Sequence, residues 1–200
     1  MDRTLDYYMV PASPWTYLGH SRLLELCERQ RVSVRILPFD LNGQVFPLSG
    51  GLPLGKRAPQ RQAYRLIELA RWRELTGLPL NAQPKFFPVA GDHAALAIIA
   101  ANQLHGSAAA LRLAGGVLRA VWAEERNIAD DDTLSALISE AGLDSGPVIA
   151  NRAQALAQYE SNTRQAIEQQ VFGAPWYVWR GEPFWGQDRL DLLERAIARA

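Results

Sequence analysis

Two hundred residues, 48% hydrophobic and 21% charged, suffice for one large core or for one domain carrying an insertion, and they exclude disordered and fibrous classes. Lys and Arg total 21, Asp and Glu total 21, and the longest like-charge run is Asp130-Asp131-Asp132, so there is no electrostatic footprint for nucleic acid or a membrane surface. No apolar run reaches about 18 residues and the N-terminus lacks a signal-peptide pattern, which predicts a soluble, cytoplasmic protein acting on a small molecule.

In chain order, residues 5–10 form a short run of aromatic and β-branched side chains that Pro11 ends, which reads as a strand. Ser13-Pro14 then marks a helix start, with Ser as the cap and Pro at the first helical position. The helix runs over 15–30. It carries the single cysteine, Cys27, four residues beyond Leu23, which reads as a small core residue and excludes both an internal disulfide and a C-x-x-C redox pair. Residues 32–38 alternate apolar and polar and predict a second strand, completing a β-α-β unit. Residues 40–59 are rich in Gly and Pro and read as a long irregular connection.

From Gln60 the pattern is helical: 60–75, 92–104, 107–125, 131–140 and 147–170, with Gly77, Gly106 and Gly142 standing just past helix ends. Strand signals return at Trp176. Residues 176–179 and 183–185 read as a hairpin around Arg180-Gly181-Glu182, and 188–200 as a closing amphipathic helix. The order β-α-β, helical block, β-β-α predicts an α/β fold with a thioredoxin-like core: residues 1–58 and 171–200 form a discontinuous domain, and 59–170 a helical insertion domain. The two ends must pair, because neither alone has enough strands to bury a face.

On these residues Ser13 has two readings, a plain helix cap or a hydroxyl placed where a helix N-terminus favours an anion. Gln187-Asp188-Arg189 is likewise either a simple helix start or an ion-binding turn. Trp15, Tyr17, Phe86, Phe87 and Trp176 read as core. His20 and His93 have no partner at metal-ligand spacing and read as surface or capping residues, and no metal site is predicted.

Three segments carry a family resemblance. Ser13-Pro14-Trp15-Thr16-Tyr17-Leu18 resembles the serine signature of 2-hydroxychromene-2-carboxylate isomerases and kappa-class glutathione transferases. Val171-Phe172-Gly173-Ala174-Pro175 resembles the loop that carries a cis-proline opposite that serine. Phe184-Trp185-Gly186-Gln187-Asp188-Arg189-Leu190 resembles the tripeptide-binding turn before the last helix. The match spans the chain and includes Lys85-Phe86-Phe87-Pro88. It departs in two places: Met9-Val10-Pro11 stands where many relatives have Phe-Asp-Phe, and Arg61 stands where the kappa-class pattern has a lysine that contacts glutathione, with Lys56 near enough to share that role.

The resemblance implies glutathione as cofactor, bound by Ser13, Arg61, Ala174, Pro175, Gln187, Asp188 and Arg189. It places Ser13 as the catalytic group, because its O–H can donate to the sulfur while the start of the helix stabilises the thiolate. It further implies a cis Ala174–Pro175 bond and a homodimer. The expected activity is interconversion of 2-hydroxychromene-2-carboxylate and trans-o-hydroxybenzylidenepyruvate in naphthalene-type aromatic degradation. The alternatives are a kappa-type glutathione transferase and a non-catalytic module binding glutathione or thiol peptides.

Overall fold

The computed structural model describes residues 3–199. Four strands, β1 (Thr4–Met9), β2 (Ser33–Pro38), β3 (Trp176–Trp179) and β4 (Glu182–Trp185), form one sheet in the order β2-β1-β3-β4. β1 and β2 run parallel, joined by helix α1 (Pro14–Gln30), while β3 is antiparallel to both β1 and β4. The chain ends therefore pair in the centre of the sheet, as the expected thioredoxin-like core requires.

Alternation along the strands supplies both faces with apolar side chains. Leu5, Tyr7, Met9, Val34, Ile36, Tyr177 and Trp179 enter the main core, and Tyr8, Leu37, Trp176 and Val178 enter a second cluster on the opposite face with Phe39, Val45, Ala166 and Val171. The hairpin between β3 and β4 is closed by Arg180 and Gly181, both at positive φ, the geometry of the two-residue turn whose twist matches its strands.

Between the two halves lie α2 (Phe46–Ser49), α3 (Pro59–Thr76), α4 (Asp92–His105), α5 (Ser107–Trp122), α6 (Asp131–Glu140), α7 (Ser145–Ala150) and α8 (Arg152–Glu168), and α9 (Leu190–Ala198) closes the chain. Polar anchors join the helices to the sheet. Thr163 Oγ1 accepts from the Asp40 N–H at 3.0 Å, Asn162 donates to the Pro38 carbonyl at 2.9 Å, and the Ser107 hydroxyl donates to the Val34 carbonyl. These bonds satisfy backbone groups along β2, an edge strand, and just beyond its end, which the sheet alone would leave unpaired.

Three sequence expectations need correction. Residues 40–59 are not wholly irregular: Asp40 caps a π turn over Leu41–Val45, α2 follows, and a 3₁₀ turn covers Leu54–Lys56. The helix expected over 147–170 is two helices that meet at Asn151, whose side chain donates to Gln103 Oε1 at 2.8 Å.

His20 is not a surface residue. It lies 5% exposed inside α1, with Nε2 3.0 Å from the Leu111 carbonyl and Nδ1 3.2 Å from the Tyr7 hydroxyl. The carbonyl can only accept, so the proton sits on Nε2 and Tyr7 donates to Nδ1. Burial lowers the His20 pKa from 6.5 to about 4, against the Leu111 bond, which favours the charged form. The unfolded chain thus takes up a proton that the native chain refuses. Stability is expected to be lost as pH falls from 6.5 to 4, by up to about 3 kcal/mol, and denaturant titration of His20→Gln across that range should show a flatter profile than the parent.

Candidate active site

The site is assembled where β1 hands over to α1. Ser13 leaves the strand in an extended conformation, and its Oγ accepts from the Thr16 N–H at 3.2 Å. Pro14 has no N–H, and the Tyr17 N–H is taken by the Ser13 carbonyl at 3.0 Å. Among the described residues no acceptor meets the Trp15 N–H. The first turn of α1 therefore offers one backbone donor beside the serine hydroxyl, at the positive end of a helix of 17 residues.

Opposite stands the loop before β3, where Ala174–Pro175 is cis. The Ser13 hydroxyl donates to the Ala174 carbonyl at 3.5 Å, the outer limit of a hydrogen bond, so little is lost when the O–H turns to another acceptor. The Pro175 carbonyl accepts from the Gly186 N–H at 2.9 Å, which ties this loop to the turn before α9. Ser13, Ala174, Pro175 and the 186–189 turn are thus one connected unit.

Within that turn the roles differ. Gln187 is buried, and its Oε1 and carbonyl both accept from Arg22, at 2.6 and 3.3 Å, so its side chain is engaged inside the protein. Gly19 makes that approach possible: a Cβ there would stand 2.7 Å from Gln187 Cβ. Asp188 and Arg189 pair with each other at the surface, each nearly half exposed. Gly186 has φ +99, and a Cβ at that position would sit 2.4 Å from Asp188 Oδ1, so the turn needs glycine.

Arg61 is exposed in the first turns of α3, and no bond links it to Ser13 or to the 186–189 turn among the described residues. Lys56 is likewise exposed, in the 3₁₀ turn ahead of α3.

Sequence reasoning passed over Arg65. It is 9% exposed, its Nη2 is buried without a hydrogen-bond partner, and it lies in no ion pair among the described residues. The guanidinium instead sits 5.1 Å from the Phe87 ring centroid and 5.5 Å from that of Trp122. Burial, and then the charge of Arg57, lower its pKa from 12.5 to about 10, so it remains a cation at neutral pH. Ring contacts of this kind are worth about 2 kcal/mol when desolvated, less than the several kcal/mol that burying an unpaired charge costs. The signal was available, because Arg65 shares a helical stripe with the buried Leu69 and the half-buried Trp72.

Cys27 is buried at 3% exposure, and burial pushes its thiol up to about 12. As the one cysteine of the chain it cannot run dithiol exchange. A wide surface depression of about 570 Å³ bordered by Leu66, Arg73, Leu80 and Asn81 includes none of the expected site residues. Among the described residues no group of three His, Cys, Asp or Glu side chains is placed to hold a metal ion. None of the described helices is long and apolar enough to cross a membrane.

A β-α-β unit and a β-β-α unit sharing one sheet around a helical block, with a helix N-terminus facing a cis-proline loop, define a class. The chain belongs to the DSBA-like thioredoxin domain family, whose pattern matches residues 4–198. Within that class it is 31% identical to the 2-hydroxychromene-2-carboxylate isomerase of Pseudomonas putida, over 98% of this chain and 94% of that one, which places it in that isomerase family. The solved structure of a selenomethionine 2-hydroxychromene-2-carboxylate isomerase superposes with a TM-score of 0.84 at 28% identity, covering 98% of this chain and 95% of that one. A probable DsbA oxidoreductase from Streptomyces coelicolor shares the fold, with a TM-score of 0.77 at 19% identity over 98% of this chain and 88% of that one.

Proposed function

We propose that the protein is a glutathione-dependent isomerase that interconverts 2-hydroxychromene-2-carboxylate and trans-o-hydroxybenzylidenepyruvate. The observation that carries this reading is the position of Ser13, a capping hydroxyl at the head of α1 with a long, weak bond to Ala174 and the Trp15 N–H beside it. Two donors and a helix dipole converge there, and the donor set suits a thiolate. The name and extent of the relatives support an isomerase over an oxidoreductase, and so does the lone buried cysteine.

When bound, glutathione supplies a nucleophilic thiolate that adds reversibly to a conjugated enone and is regenerated when the addition reverses. The residues of this chain supply the rest. Ser13 and the Trp15 N–H hold the negative charge at the sulfur position. The Ala174 backbone would hold the cysteinyl unit in the manner of a short added strand. Asp188 would hold the γ-glutamyl ammonium, Arg189 would offer a cation to the neighbouring carboxylate, and Arg61 or Lys56 would serve the glycyl end.

The test is a steady-state assay of purified protein on the chromene carboxylate with and without glutathione. Turnover is expected to require glutathione and to leave its concentration unchanged. Consumption of glutathione with electrophilic aryl substrates and no isomerisation would assign a kappa-type transferase instead. Binding without turnover of either kind would leave a non-catalytic module.

A further inference from the structure

We propose that Arg65, packed beside the paired rings of Phe87 and Trp122, is a specificity-determining residue that recognises the carboxylate of an aromatic acid. The inference rests on the isomerase reading for the identity of that acid, but its geometric basis is separate.

A guanidinium has five N–H donors in a planar fork that matches a carboxylate. Arg65 is nine-tenths buried as a residue, its Nη2 is buried without an acceptor, and no carboxylate of the described residues pairs with it. Buried charges are ordinarily paired or hydrogen-bonded, so a cation packed beside two rings with a buried N–H group that has no acceptor is the receiving half of an incomplete pair. The surroundings deepen the preference for an anion. Arg61 precedes Arg65 by one turn of α3, Arg57 lies in the extended residues just ahead of that helix, and each of the charges that perturb Arg57 and Arg65 comes from another arginine. A ligand that brings a negative charge removes this mutual repulsion.

The rings specify the rest of the ligand. Phe87 and Trp122 pack with centroids 4.7 Å apart, and the segment that carries Phe87 continues to Gly91, whose Cβ position lies 3.7 Å from Pro11 and 3.8 Å from the Ala12 N–H nitrogen. The arginine is therefore connected through one short segment to the loop that sets Ser13. Trp122 is fully buried behind Phe87, so a flat conjugated acid is the chemical class that satisfies both the cation and the partly exposed Phe87 ring.

The probe pair is trans-cinnamate and trans-cinnamamide, equal in shape and differing in charge, measured by calorimetry on the intact protein. The parent is expected to bind the acid at least about 10-fold more tightly than the amide. Arg65→Met, similar in length but uncharged, should abolish that preference, and Arg65→Lys should keep part of it, because a point charge replaces a fork. Glutathione affinity should be unchanged in both variants, while the KM for the chromene carboxylate rises about 10-fold or more in Arg65→Met. Equal binding of acid and amide by the parent, no binding of cinnamate at millimolar concentration, or an acid preference that survives in Arg65→Met overturns the proposal. If Arg65→Met does not fold, the parent comparison and Arg65→Lys decide by the same criteria. Acid preference in a protein that binds no glutathione would uphold the Arg65 site and defeat the isomerase reading, so the two fail separately.

Discussion

Replacing Ser13 with alanine is expected to lower glutathione-dependent turnover by about 100-fold, the loss that follows removal of one donor to a resident or developing anion. The fold should survive. The cap bond to the Thr16 N–H is one hydrogen bond at the head of a long helix, and its loss costs about 1 kcal/mol. The remaining donor, the Trp15 N–H, and the helix dipole still favour the thiolate, which is why activity falls rather than vanishes. Chromene carboxylate turnover, with circular dichroism melting as the control, separates the two effects. Parental turnover in a folded Ser13→Ala protein would remove Ser13 from the reaction.

Asp188→Asn is expected to weaken glutathione binding by roughly 1.5–3 kcal/mol, about 10- to 100-fold. The carboxylate stands in a turn fixed on one side by Gly186 bonding to Pro175, and on the other by Gln187 bonding to Arg22. Asp188 cannot relocate without disturbing both. Its existing partner, Arg189, is exposed, and surface pairs contribute little, so the substitution should scarcely change stability. A γ-glutamyl ammonium can take the place beside the carboxylate and leave Arg189 to the ligand's own carboxylate. Cysteinylglycine, which lacks the γ-glutamyl unit, should bind parent and variant alike. Calorimetry with both ligands and both proteins forms a double-mutant cycle. Equal losses for the two ligands would mean that Asp188 acts through the fold.

What was legible in the sequence was what local chemistry dictates. Ser13-Pro14 specifies a helix start by capping and by a fixed φ, and the turn expected over Arg180-Gly181-Glu182 is present one residue shorter, with Gly181 supplying positive φ at no cost and Glu182 already in β4. Both elements stand where local rules put them. What escaped depends on contacts remote in sequence. His20 looks like an exposed helical residue until α5, some ninety residues later, brings the Leu111 carbonyl against it. The hold that Arg22 on α1 has on the Gln187 side chain is likewise a contact between residues 165 apart in sequence. Arg65 escaped for a different reason: arginine on a helix ordinarily faces solvent, and its place in the stripe of Leu69 and Trp72 was outweighed by residue type. Tertiary packing overrode propensity in each case, and at Arg65 it left a buried charge unpaired.

If Ser13 and the head of α1 hold glutathione as a thiolate, the ultraviolet thiolate absorbance of the bound cofactor, titrated against pH, reads that ionisation without any turnover. The thiol of bound glutathione is expected to ionise at lower pH than that of glutathione in solution, and Ser13→Ala to return it toward the solution value while binding is retained. A bound thiol that titrates as it does in water, in the parent and in Ser13→Ala alike, would contradict it.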